Sequence, residues 1–110
     1  MPAEMSGQRL PIPDKDYDPY TLVRQAGDYC GPDKGEYTDG VPAVWFLLPI
    51  ARDKDASAAA RSLHHVQSPP HIFTEEADGT LTIRESIGAG PRDAYYWHGY
   101  LTKGDWQLQP

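Results

Sequence analysis

The sequence predicts a mainly β domain, a small sandwich or half-open barrel of antiparallel hairpins with about six strands and at most one short helix. Three observations predict it. Eleven prolines and ten glycines in 110 residues interrupt the chain too often for long helices. Short stretches rich in β-branched and aromatic residues alternate with turn chemistry. Seven Tyr, three Trp and two Phe supply enough ring area for a core. A chain of this length is one domain's worth of protein and can bury roughly 65% of its unfolded surface without disulfides or metal.

Residues 1–19 carry four prolines and four acidic residues with little periodicity. They read as an irregular proline-rich arm pinned by Leu10 and Ile12, and residues 20–110 read as a single β domain. Residues 20–25 (Tyr-Thr-Leu-Val-Arg-Gln) are expected as a first strand. Residues 28–40 read as a loop, because Cys30-Gly31-Pro32-Asp33 and Thr38-Asp39-Gly40 are turn sequences. Residues 43–50 are apolar at both alternating sets of positions, which predicts a central strand covered on both faces. Residues 54–63 are the one helix-favourable stretch, with Asp55 as a plausible cap; a mobile Ala-rich loop is the other reading, since so short a run is marginal unless it packs on something.

The two C-terminal hairpins can be registered on paper. Around Ala77-Asp78-Gly79, a two-residue loop would set charge beside apolar groups on both faces. A three-residue loop with Gly79 left-handed pairs Phe73 with Ile83 and Thr74 with Thr82, turns Phe73, Leu81 and Ile83 inward, and sets His71 opposite Glu85. Around Lys103-Gly104, a two-residue loop pairs Thr102 with Asp105, Leu101 with Trp106 and Gly99 with Leu108. One face then holds Tyr95, Trp97, Gly99, Leu101, Trp106 and Leu108; the other holds Tyr96, His98, Tyr100, Thr102, Asp105, Gln107 and Gln109. Lysine is an unusual first residue for the tightest hairpin turn, so the pairing is better specified than the turn type.

Composition narrows the function. Ten basic and sixteen acidic residues give a net charge of -6 with no basic run, so no nucleic-acid partner is expected. The longest apolar run, residues 41–51, holds two prolines and is too short for a bilayer, so no membrane partner is expected. The first residues lack the features of a signal peptide, and the simplest location is cytoplasmic. Cys30 alone makes neither an intramolecular disulfide nor a multi-thiolate zinc site, and its acidic neighbours disfavour a reactive thiolate. His64, His65, His71 and His98 show no familiar ligand spacing; a set of His71, His98 and Glu85 is the one geometry open to a metal, against a simple His71–Glu85 ion pair. Ser86 lacks the glycine pattern of a nucleophile elbow. The outward face bearing Tyr96, His98 and Tyr100 is a platform of rings with hydrogen-bonding edges, suited to contact if nothing covers it.

The segments 44–49 (Val-Trp-Phe-Leu-Leu-Pro), 78–87 (Asp-Gly-Thr-Leu-Thr-Ile-Arg-Glu-Ser-Ile) and 97–104 (Trp-His-Gly-Tyr-Leu-Thr-Lys-Gly) resemble, in this order, a family of small uncharacterised proteins common in bacteriophage and prophage genomes. Some of its members carry an unsupported ammonia monooxygenase label. The family pattern falls here on Leu81, Thr82, Ser86, Ile87, His98, Tyr100 and Gly104, within residues 43–108. Glu85 stands where many relatives carry Pro. The cysteines that accompany the motif in several of them are missing, so any metal site they form does not carry over. The resemblance implies a phage accessory protein in the cytosol of a bacterial host and implies no established activity.

The expected function is therefore noncatalytic. The chain is read as binding a host protein or small ligand through Tyr96, His98 and Tyr100, with Glu85 and Ser86 beside them and no cofactor. Edge strands in so small a sheet favour a homodimer. One alternative is a small metal-dependent enzyme using His71, His98 and Glu85. Another is a minor virion component, which predicts a symmetric oligomer.

Overall fold

Alternating apolar residues in the C-terminal half dictate one large sheet, and the doubly apolar run before them dictates a second. The computed structural model describes residues 5–14, 16–34, 38–49, 61–90, 93 and 95–109. Among them lie eight strands and one short helix: β1 (Met5–Ser6), α1 (Pro19–Leu22), β2 (Tyr29–Asp33), β3 (Ala43–Phe46), β4 (His64–Gln67), β5 (Ile72–Glu75), β6 (Leu81–Ala89), β7 (Trp97–Thr102) and β8 (Asp105–Leu108). Five strands pair in the order β1-β8-β7-β6-β5 and three in the order β2-β3-β4, all antiparallel. The mainly β expectation holds.

The sheets share one core. Leu81, Ile83, Ile87 and Ala89 of β6, Trp97 and Leu101 of β7 and Trp106 of β8 meet Tyr29, Val44, Phe46 and Leu48 from the smaller sheet. Trp106 sits at its centre, edge-on to Tyr29 and Trp97 and tilted against Phe46. Its indole N–H donates to the Gly27 carbonyl at 2.7 Å, so its one polar atom is buried with a partner. All four residues of β3 are buried. Val44 and Phe46 face the large sheet, while Trp45 faces a second cluster of Tyr17, Val23 and Cys30, flanked by Leu10, Ile12 and Leu22. This is the doubly covered central strand that residues 43–50 predict, and it ends at Phe46.

Both C-terminal hairpins have the predicted register. Phe73 pairs with Ile83 and Thr74 with Thr82, across a loop closed by Glu76 N–H to Thr80 O and Gly79 N–H to Glu76 O, with Gly79 at φ 87°. Leu81 and Ile83 are buried; Phe73 is half-buried against the core. Thr102 pairs with Asp105, Leu101 with Trp106 and Gly99 with Leu108. Lys103 and Gly104 have φ of 49° and 80°, both left-handed as a type I′ turn requires. The unfavourable lysine conformation is offset by two bonds into β6: Lys103 N–H to Thr82 Oγ1 at 2.9 Å and Gly104 N–H to Leu81 O at 3.0 Å.

Four local expectations are corrected. Residues 20–25 do not form a strand: Asp18 caps a helix by accepting from Tyr20 N–H at 2.9 Å and Thr21 Oγ1 at 3.1 Å, with Pro19 preset for the first turn. That local cap outcompetes the β preference of Thr21 and Val23. Residues 28–40 are not all loop: Tyr29 and Cys30 are fully buried and pair with Phe46 and Trp45. Gly31, at φ 115°, lies so close to β3 that a Cβ would come 2.6 Å from the Ala43 carbonyl, so its freedom serves a bulge and not a turn. Tyr95 does not share the Trp97 face, because β7 begins at Trp97. Leu108, at the end of β8, is 48% exposed. The strand β4 carries no apolar alternation that could announce it. The Asp55-capped helix lies outside the described residues.

The N-terminal stretch is stitched to both sheets. Met5 and Ser6 pair with Trp106 and Asp105. Arg9 donates to the Gly31 and Gly79 carbonyls and pairs with Glu75, and Leu10 and Ile12 pack as anticipated on the second cluster.

Candidate functional site

The site grows from a conflict in β6. Strict alternation would aim Leu81, Ile83, Glu85, Ile87 and Ala89 at the core, and burying the Glu85 charge there would cost several kcal/mol, of order 2–7 even for a neutral polar group. The chain avoids this by breaking register. Ile83 pairs with Leu101 and Ile87 with Gly99, so Arg84, Glu85 and Ser86 together face Tyr100 alone. Glu85 takes φ 69°, a left-handed conformation, and stands exposed. Apolar residues on either side keep the core face.

The same break sets Ser86 beside His98. His98 lies on the outward side of β7 opposite Gly88, and its Nε2 is 2.9 Å from Ser86 Oγ. From the other flank, His71 Nε2 lies 3.1 Å from the Ser86 carbonyl oxygen. A carbonyl oxygen only accepts, so the His71 proton resides on Nε2. His71 Nδ1 is a buried ring nitrogen without a hydrogen bond. Ser86 is thus held between two imidazoles, one on its hydroxyl and one on its backbone.

Tyr95 completes the arrangement. Its ring stacks on the His98 imidazole with centroids 4.9 Å apart and planes inclined by 39°. It also lies over Gly88, where a Cβ would come 2.6 Å from the ring, so Gly88 is what lets the phenol reach the histidine. Alternation extended two residues before the start of β7 puts Tyr95 on the wrong face; Gly88, an unfilled place opposite His98, is the signal that points to its true position. Tyr96 N–H donates to the Ala89 carbonyl at 2.8 Å, and Tyr100 pairs with Gln107. Tyr96 is 42% and Tyr100 36% exposed, and His98 and Ser86 are half-buried. Among the described residues, Tyr95, Tyr96 and Tyr100 are the exposed rings of this part of the large sheet.

Of the residues that the sequence singles out, Ser86 and His98 touch, Tyr100 faces the bulge, Glu85 projects from it, and Tyr96 lies just before β7. Two expectations fail. The His71–Glu85 ion pair does not form, because the turned backbone carries the carboxylate away and His71 takes the Ser86 carbonyl instead. The His71, His98 and Glu85 ligand set does not assemble: the two Nε2 atoms meet different oxygens of Ser86, and among the described residues no group of three or more His, Cys, Asp or Glu converges as metal ligands.

Elsewhere the reactive groups are quenched. Burial pushes the Cys30 thiol above its ordinary range, and Asp33 adds to the effect against the Tyr17 hydrogen bond. Burial likewise raises the Tyr17 phenol. His64 and His65 point to opposite sides of β4 and stack on Phe46 and Trp45. A groove of about 330 Å³ lies between residues 9–12, Gly31, Pro32 and Gly79, but the guanidinium that lines it is already bonded to Gly31, Gly79 and Glu75. Among the described residues no helix is long and apolar enough to cross a membrane. Comparison with protein-family models, curated proteins and solved structures returns no match.

Proposed function

We propose that the chain is a recognition module of the phage accessory type that its motifs resemble, binding a host protein or small ligand in the bacterial cytosol through Tyr96, His98 and Tyr100, with Ser86 and Glu85 beside them. The observation that carries this reading is the exposure of the Tyr100 ring on the five-stranded sheet, with the Tyr96 ring exposed just before β7 and its N–H bonded to the Ala89 carbonyl. Such rings offer contact area at small entropic cost, because the scaffold has already fixed them. The Ser86–His98 pair adds a hydrogen-bonding centre among them. An open, extended face favours a protein partner over an enclosed small molecule.

The test compares wild type with the His98→Ala/Tyr100→Ala double variant as immobilised bait in bacterial lysate. The expected result is a partner retained by wild type and lost from the variant, with both baits equally folded by circular dichroism. Equal recovery from both contradicts the reading. Size exclusion with light scattering, run on the same two proteins, tells whether the face instead pairs two copies: a doubled mass for wild type alone assigns it to a homodimer.

A further inference from the structure

We propose that Ser86 is a nucleophile which, with His98 as its general base, accepts the acyl group of a small activated ester. This goes beyond recognition and rests on the Ser86–His98 contact. A serine hydroxyl is inert until a positioned base takes its proton. His98 Nε2 is 2.9 Å from Ser86 Oγ, within the reach such a transfer needs. Both partners are held. The imidazole is stacked under Tyr95, and the His98 carbonyl accepts from Gln109 N–H at 2.9 Å. The serine backbone is fixed by His71 at its carbonyl. Glu85, just before it, occupies a left-handed conformation that is strained for a non-glycine residue, a kind of strain that concentrates at working sites. Ser86 and His98 are half-buried, with Tyr95 against the imidazole and exposed Tyr100 two residues further along β7.

In the first step Ser86 Oγ bonds to the acyl carbon and its proton passes to His98 Nε2. The bond to the alcohol breaks, and the same proton is returned to the departing oxygen. In the second step water gives a proton to His98 and attacks the acyl-serine; the acid leaves and Ser86 recovers its hydroxyl. The sum is ester plus water to acid plus alcohol, with no oxidant or cofactor.

The test treats the full chain with 4-nitrophenyl acetate, follows nitrophenolate release and maps the acetyl group by peptide mass. The expected result is an acetyl on Ser86 that disappears in Ser86→Ala and forms roughly a hundredfold more slowly in His98→Ala, the scale of a lost general base. Added imidazole partly restores Ser86 acetylation in His98→Ala, after subtraction of the imidazole reaction seen with Ser86→Ala/His98→Ala. Acetyl on lysines alone, or an unchanged rate in either variant, overturns the proposal. If Ser86→Ala fails to fold, Ser86→Cys replaces it: iodoacetamide should alkylate Cys at that position faster with His98 present than in Ser86→Cys/His98→Ala, with buried Cys30 as the slow internal reference. Equal rates again overturn it. Acetylation is read on the purified chain and partner recovery in lysate, so failure of the nucleophile and failure of the recognition face are read separately.

Discussion

The strand β7 pairs on both sides, and its two pairings are built differently. Toward β8 it runs without a break from Thr102↔Asp105 to Gly99↔Leu108, and inward and outward residues alternate up to the exposed Leu108. Toward β6 three residues stand against one, and the backbone at Glu85 turns left-handed. The regular side buries Trp97, Leu101 and Trp106 and builds the core. The broken side brings Ser86 to His98 and lifts a carboxylate into water. Alternation serves stability, and its interruption is where groups capable of chemistry meet.

The largest expected effect sharpens that contrast across a single hairpin. Trp106→Ala empties the centre of the core and should cost about 3–5 kcal/mol, much of the roughly 5–15 kcal/mol that holds a domain of this size. Tyr100→Ala, on the opposite face, should change stability by about 0.5 kcal/mol. Urea unfolding of both variants checks it; comparable losses would mean that the two faces are not distinct.

The next effect addresses the break itself. Glu85→Gly removes the Cβ that the left-handed conformation disfavours and should stabilise the protein by about 1 kcal/mol. Glu85→Val should destabilise it, since a branched residue tolerates that conformation worst. The denaturation midpoint, at unchanged slope, reads both. A glycine that destabilises would place the register shift elsewhere.

The smallest effect is a control away from both pairings. Burial raises the Asp28 carboxyl above its ordinary 3.8, outweighing the Gln8 backbone hydrogen bond that lowers it. A carboxyl raised on folding contributes stability that is present below the unfolded value and lost as pH rises through the folded one. Asp28→Asn should therefore melt higher than wild type at neutral pH, with the difference vanishing below about pH 4. A gap that widens in acid would reverse the sign.

How much was legible in the sequence follows the same division. The hairpins around Gly79 and around Lys103-Gly104 could be registered because alternation and turn residues are local signals. The central strand could be read because residues 43–50 are apolar on both sides. Tyr29–Asp33 could not, since Gly31-Pro32 looks like a turn and only contact with β3 makes it a strand. Nor could β4, whose His-His-Val-Gln has no period. At the site, Ser86, His98 and Tyr100 were legible as an outward set. Their contact was not, because it depends on how many residues the bulge adds. One clue stood in plain view: Glu85 occupies an inward position among Leu81, Ile83, Ile87 and Ala89, and a charge there demands an escape.

The most direct test of the break as the origin of the site is nitrogen NMR of the His98 imidazole in wild type and in Ser86→Ala. The account predicts a wild-type Nε2 that is unprotonated and accepts a hydrogen bond, with a resonance that shifts when the Ser86 hydroxyl is removed. Identical His98 ring signals in the two proteins would contradict it.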